Sequence, residues 1–255
     1  MELATVEKQN KDSHPFIAPK SYPWLVICDG KHEERQTFFD ISTNRYHIQS
    51  IPEMCNKLIY ASSHGWLVLV EYKLQDCCCC LWNPISLEKI QLPQLESIDY
   101  NACTLSSSPS DPECHILFFN PCEDSLLVCQ PGDLKFNKQE NVFGNDYSPW
   151  NLTVVGKTIY ALTTPGYTLF TGEFVGPKVE FTRLIMGEFL SLSPPDVLLE
   201  NQFLIECGGE LFLVHMMYFG LYMDDVYGFF VFQMDFAEKK VGKSEEHRRT
   251  YYFRI

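Results

Sequence analysis

Short apolar runs recur along this chain, each bounded by residues that favour turns. Representative runs are Trp24-Leu-Val-Ile-Cys28, Gly65-Trp-Leu-Val-Leu-Val70, Cys114-His-Ile-Leu-Phe-Phe119, Lys157-Thr-Ile-Tyr-Ala-Leu162 and Gly209-Glu-Leu-Phe-Leu-Val214. Aligned on Trp24, Trp66, Ile116, Ile159 and Leu211, they are separated by 42, 50, 43 and 52 positions. No segment sustains apolar residues at helical spacing over three turns, so the runs read as strands. A strand-only repeat of roughly 40–50 residues is the spacing of a propeller blade.

The second repeat shows the pattern most fully. Strands are predicted at residues 58–61, 66–70, 77–82 and 89–92, with a turn at Asn83-Pro84 and a stop at Pro93. The first repeat pairs residues 24–28 with 37–41 across Asp29-Gly30, a dipeptide suited to hairpins because Gly accepts positive φ. The chain then runs out through Tyr46 and Ile48 to Pro52. Later repeats place turns at Pro131-Gly132, Gly156-Lys157, Pro165-Gly166 and Gly208-Gly209. A short helix is allowed within residues 187–199. The expected fold is all-β, a kelch-like β-propeller with five recognisable blades and room for a sixth shared between the termini. Residues 1–20 read as a flexible tail, 21–240 as the propeller and 241–255 as an atypical charged tail.

Composition narrows the function. Nineteen Phe and thirteen Tyr suit pleated, half-buried surfaces. The formal net charge of -13 argues against nucleic acid or an anionic membrane as the main partner, since phosphate recognition needs a basic surface. The apolar stretch at residues 211–223 contains His215 and ends before Asp224-Asp225, which suits two strands of a hairpin and not a membrane span. The first residues carry no basic and apolar leader, and eleven is an odd cysteine count. Reduced thiols in cytoplasm or nucleus are therefore expected, and the Asn151-Leu-Thr153 sequon is expected to be inert.

Several residues invite a chemical reading. Cys77-Cys-Cys-Cys80 could ligate a metal, but adjacent strand residues alternate faces and no second Cys pair follows, so strand packing is the expectation. Cys103, Cys114, Cys122 and Cys129 fall on different repeats with no ligand spacing. His64 between Ser63 and Gly65 lacks a recognisable orienting partner, and a turn role is expected. Trp24, Trp66, Trp82 and Trp150 could stack ligands but are expected in the core, and Glu33-Glu34 and Asp224-Asp225 are expected in solvated turns. No phosphate loop, nucleophile elbow or zinc-protease motif is present. No catalytic, cofactor-binding or metal-binding residue is assigned, no cofactor is expected, and the partner-binding residues are unknown.

Certain ordered pieces of the chain resemble a plant family of F-box-associated β-propellers, a domain of unknown function. They are Pro23-Trp-Leu25, Ser63-His-Gly-Trp-Leu67, Trp82-Asn-Pro84, Ile90-Gln-Leu-Pro93, Leu105-Ser-Ser-Ser-Pro109, Lys157-Thr-Ile-Tyr-Ala161, Leu204-Ile-Glu-Cys-Gly-Gly-Glu-Leu-Phe-Leu-Val214 and Phe230-Val-Phe-Gln-Met-Asp235. The resemblance implies a substrate-receiving propeller, linked in its relatives to a Skp1-type adaptor and a cullin ubiquitin ligase. The residues before the first strand show no helical leucine pattern of an F-box. Lys239-Lys-Val-Gly-Lys-Ser244 also stands where the family carries a Trp-containing strand, which puts ring closure in question. The expected function is a non-catalytic protein-interaction module acting as scaffold, competitor or substrate-binding subunit. The alternatives are a propeller hydrolase or lyase with carboxylates in its channel, and a truncated, non-functional family member.

Overall fold

A computed structural model describes residues 6–7, 24–29, 35–40, 45–71, 76–97, 99–100, 102–144, 147–164, 168–184, 199–219, 225–235 and 240–243. The possible helix at 187–199, the Glu33-Glu34 turn and the turn before Asp225 fall outside these residues, apart from Leu199 itself.

The described chain is built from strands in five four-stranded sheets, with one 3-10 turn at Pro52–Met54. Four sheets are sequential antiparallel meanders. One comprises β5 (Lys57–Ser63), β6 (Trp66–Glu71), β7 (Cys79–Trp82) and β8 (Lys89–Gln91). The next comprises β9 (Ala102–Leu105), β10 (Ile116–Asn120), β11 (Ser125–Cys129) and β12 (Asn137–Glu140). It is followed by β13 (Ser148–Val155), β14 (Thr158–Thr164), β15 (Thr168–Val175) and β16 (Lys178–Leu184). The last comprises β17 (Leu199–Cys207), β18 (Glu210–Phe219), β19 (Asp225–Asp235) and β20 (Lys240–Lys243).

The first sheet is built differently. Its strands β2 (Trp24–Asp29), β3 (Arg35–Asp40) and β4 (Arg45–Gln49) are sequential and antiparallel, but its fourth, β1 (Val6–Glu7), lies parallel against β4. This corrects the expected architecture. Four sheets carry the sequential blade pattern, the first departs from it, and among the described residues no sheet joins strands from the two ends of the chain. The N-terminal segment expected to be a tail supplies β1 to that first sheet. Residues 241–243, expected to begin an atypical tail, belong with Lys240 to the last strand of the fifth.

Two compact units divide the chain. The first comprises Met1–Ile98, Ser108–His115 and Cys129–Asn137, and the second Asp99–Ser107, Ile116–Val128 and Lys138–Ile255. In the first unit, Phe38 of β3 packs with Leu69, Cys80 and Trp82 of the second sheet, joined by Ile51 and Met54 from the 3-10 turn. The buried Gln36 side chain fixes that turn by accepting the Ile51 N–H at 2.7 Å. In the second unit, Phe119, Leu126 and Phe143 pack against Ile159, Phe170 and Val179. A further cluster joins Tyr160 and Leu162 to Leu204, Leu211, Leu213 and Phe232. Gly172 is required within β15, because a Cβ there would meet the Phe181 ring at 2.6 Å.

Burial follows position within a sheet. β7, β10 and β11 are buried at every residue, whereas β8, β12 and β16 carry exposed polar or charged side chains. Continuous apolar runs are what strands buried on both faces require.

Candidate interaction surface

Within the first unit, two tight turns hold apolar side chains out in solvent. The turn from Asn83 to Glu88 follows β7. The Asn83 carboxamide oxygen accepts the N–H groups of Ile85 and Ser86 at 2.9 and 3.0 Å, mimicking a backbone turn. Leu87 N–H donates to the Asn83 carbonyl at 2.9 Å, and Asn83 N–H to the Glu88 carbonyl at 2.9 Å. Ser86 Oγ donates to the Glu88 carboxylate at 3.0 Å. Every polar group named here serves the turn, yet Ile85 is 60% exposed and Leu87 46% exposed. Leu87 also sits at φ +61, a left-handed conformation that costs a non-glycine residue about 1 kcal/mol or more.

The second turn follows β11. The Asp133 carboxylate accepts Gln130 N–H at 2.8 Å, while Asp133 N–H donates back to the Gln130 carbonyl at 3.1 Å. Gly132 at φ +95 allows the reversal. This rigid turn presents Leu134, which is 96% exposed. The neighbouring Ser108–His115 connection is tied to it by Gln130 Nε2, which donates to the Pro112 carbonyl at 3.0 Å. Glu88, Asp111, Glu113 and Asp133 are exposed on these segments, together with Lys89 and Lys135, so the apolar tips sit among charges of both signs.

The strands and connections of this unit carry thiols. Cys77, Cys79, Cys80, Cys114 and Cys129 are buried, and Cys78 is half-buried. The expected alternation of faces holds: Cys80 packs with Trp82 in the first unit's core, while Cys79 Sγ donates to the Pro93 carbonyl at 2.9 Å. Burial pushes the Cys79 thiol well above its usual range, reinforced by the neighbouring Cys129 and by the other thiols of its run. Burial likewise pushes Cys129 up to about 12, with Asp133 and Cys114 adding to the effect, and raises Cys80. Such thiols stay protonated and behave as small apolar groups, since the thiolate is the reactive and ligating form. Among the described residues, no three His, Cys, Asp or Glu side chains are placed to share a metal ion.

The other residues singled out in the sequence are dispersed. His64 is exposed in the β5–β6 turn at φ +52, followed by Gly65 at φ +78. Trp66 and Trp82 are buried, and Trp150 packs against the Leu204 and Leu213 cluster with its ring 5.2 Å from that of Phe203. The Trp24 side chain lies outside what is described. Cys103 is buried in β9 and Cys122 is exposed in the β10–β11 turn. Ile85, Leu87 and Leu134 carry no apolar signal as a group, because each is a single residue among turn formers. The one available cue was a large aliphatic residue at a position where Gly or Ser is usual.

The family described as KIB1-4 beta-propeller matches residues 38–248. No curated protein matches the chain. Among solved structures, the N-terminal domain of Nup159 aligns at 10% identity and a TM-score of 0.40, covering 89% of this chain and 64% of that one. A protein described as a 6-phosphogluconolactonase from Bacteroides uniformis aligns at 13% identity and a TM-score of 0.44, covering 82% and 62%. This chain thus spans less than two thirds of either structure.

Proposed function

Since the chain belongs to the KIB1-4 beta-propeller family, we propose that it is a non-catalytic protein-interaction module. The observation that carries this reading is the pair of hydrogen-bonded turns that hold Ile85, Leu87 and Leu134 in water. Aliphatic side chains left this exposed on hydrogen-bonded turns are incompletely used by the fold, and burying them against a partner would recover the rest of their transfer free energy. The charges of both signs around them favour a protein surface with an apolar pocket and a polar rim. The resemblance to F-box-associated propellers extends the reading to ubiquitin-ligase substrate recognition, with this chain as substrate-binding subunit, scaffold or competitor. The ten cysteines with described side chains are all free thiols, which suits the cytoplasm or nucleus.

The test compares the wild-type chain with a triple Ile85→Ser, Leu87→Ser, Leu134→Ser variant by quantitative affinity enrichment. Partners retained by wild type and lost by an equally stable variant are the expected result. Skp1-type adaptors or cullins among them would support the ligase role, and clients alone a competitor or scaffold. Identical enrichment by both proteins would overturn the reading.

A further inference from the structure

In chain order, the last strands of the first four sheets differ in one respect. β8 exposes Lys89 and Gln91, β12 reads Asn-Lys-Gln-Glu, and β16 exposes Lys178, Glu180, Thr182 and Arg183. Charged side chains along an open edge are the usual guard against unwanted strand pairing. β4 carries one exposed charge, Arg45, at its start, and beyond it two exposed apolar residues. Its Tyr46 and Ile48 are 37% and 48% exposed, and no residue of β8, β12 or β16 ranks with them among the exposed large hydrophobic side chains described. They lie two positions apart, so they share one face of the strand. The Tyr46 ring is fixed on that face by Phe39, with ring centroids 4.7 Å apart.

β4 is also the strand that has acquired an extra neighbour. Val6 and Glu7 pair in parallel with Tyr46 and His47, leaving Arg45, Ile48 and Gln49 of the five-residue strand without a β1 partner in the ladder. β1, like β2, lies outside the matched family region, which begins at residue 38. Sixteen residues separate it from β2, so seating it requires closing a long connection for two paired residues.

We propose that the outer edge of β4 is a strand-addition site for an extended segment of a partner protein, with Val6–Glu7 as a displaceable placeholder. The fitting segment runs parallel to β4, spans its five residues, and carries apolar side chains at alternate positions to cover Tyr46 and Ile48. Main-chain hydrogen bonds would supply the affinity and the alternate side chains the selectivity. This surface is separate from the turns that carry Ile85 and Leu134, and the inference stands whether or not those turns bind a partner.

The full-length chain tests this with two probes. One is a fluorescent peptide of residues 1–12; the other is a lysine-capped peptide alternating Thr and Val over seven residues. In the chain, Val6→Pro removes an N–H and vacates the edge, so both peptides should bind it roughly tenfold more tightly than wild type. Amide exchange across residues 45–49 should accelerate in Val6→Pro and slow again when peptide is added. Ile48→Lys, at a half-exposed position that leaves the melting temperature unchanged, should weaken both peptides. The alternating peptide should bind more tightly than the 1–12 peptide, since it covers the whole strand. Absence of binding to Val6→Pro, binding indifferent to Ile48→Lys, or capture of the 1–12 peptide alone would overturn the proposal.

Discussion

Two turns of this molecule begin with the same device and serve opposite ends. In the β10–β11 turn, the Asn120 carboxamide accepts the Cys122 N–H at 2.9 Å; in the β7–β8 turn, Asn83 does the same for Ile85 and Ser86. Beyond that they diverge. The β10–β11 turn is tied back into its own unit. The Asp124 carboxylate accepts the N–H groups of Phe143 and Gly144, with shortest distances of 3.0 and 2.8 Å, and seats Phe143 among Phe119, Phe170 and Phe181. Glu123 pairs with Lys138 at 2.7 Å. Among the described residues, the β7–β8 turn shows no such tie, and it exposes Ile85 and Leu87. A left-handed residue appears in both, Asp124 at φ +46 and Leu87 at φ +61, but Asp suits that conformation locally and Leu does not. Capping chemistry therefore marks a turn as rigid; only the destinations of its remaining side chains say whether that rigidity serves the fold or a partner.

Alkali should act most strongly on the base of the projecting turns. The projecting turns stand on buried thiols, and Cys129 directly precedes the Gln130–Asp133 reversal. A thiol raised from 9.0 to about 12 on folding holds its proton more tightly when folded. Its contribution is complete below pH 9.0 and is lost as pH rises toward 12, by roughly 4 kcal/mol at the top of that window. Thermal melts between pH 8 and 11 should fall steeply for wild type and less steeply for Cys129→Ala, whatever the variant's stability at neutral pH. Equal slopes would show that these thiols are not what makes the fold sensitive to alkali.

The tied turn should break by mutation instead. Asp124→Ala removes a buried acceptor from two backbone N–H groups, and about 3 kcal/mol should be lost. For a domain of this size that lowers the melting temperature by about 6–12 °C. Asp124→Asn keeps an acceptor and tolerates the left-handed backbone, so it should retain most of the stability. A melt unchanged by the alanine variant would mean that Phe143 is held by ring packing alone.

The contrast between the turns also explains what could be read in the sequence. Strands buried on both faces, such as β6, β10 and β11, announce themselves as unbroken apolar runs, and their recurrence pointed to a propeller. The outermost strands did not. β12 is Asn-Lys-Gln-Glu and β16 interleaves Val179 and Phe181 with charges, because a solvated edge needs no apolar signal. β1 was invisible for another reason: two residues pair with a strand some forty positions away, and no local pattern records that. Packing at Cys79 and Cys80 was legible from face alternation together with the lack of a second Cys pair, whereas Cys77 and Cys78 precede the strand. The exposed turn residues were not, since exposure depends on where neighbouring segments end and not on the residue itself.

Leu87→Gly tests whether the projecting turn trades stability for display. Glycine relieves the left-handed strain of about 1–2 kcal/mol and costs about 0.5–1 kcal/mol through the unfolded chain, so a net gain of about 0.5 kcal/mol is expected. Partner binding should fall in the same variant, because the exposed side chain is gone. Unequal effects on fold and binding, of opposite sign, are the signature sought. A variant that is both less stable and equally competent in binding would show that Leu87 packs for the fold after all.

The smallest effect belongs to the ion pair on the tied turn. The Lys138 ammonium holds the Glu123 carboxyl below its ordinary value, through the hydrogen bond first and its charge second. A carboxyl lowered on folding contributes stability above its unfolded value of 4.5, and that contribution is lost as pH falls through the folded value. Both side chains are well exposed, so salt screens the pair and its worth is slight. The melting-temperature difference between wild type and Lys138→Met should therefore be small at pH 7 in low salt, shrink in high salt, and close as the pH falls below 4.5. A difference that widened in acid would place the role of Lys138 in covering apolar surface with its methylene stem, and the tie from this turn would rest on Asp124 alone.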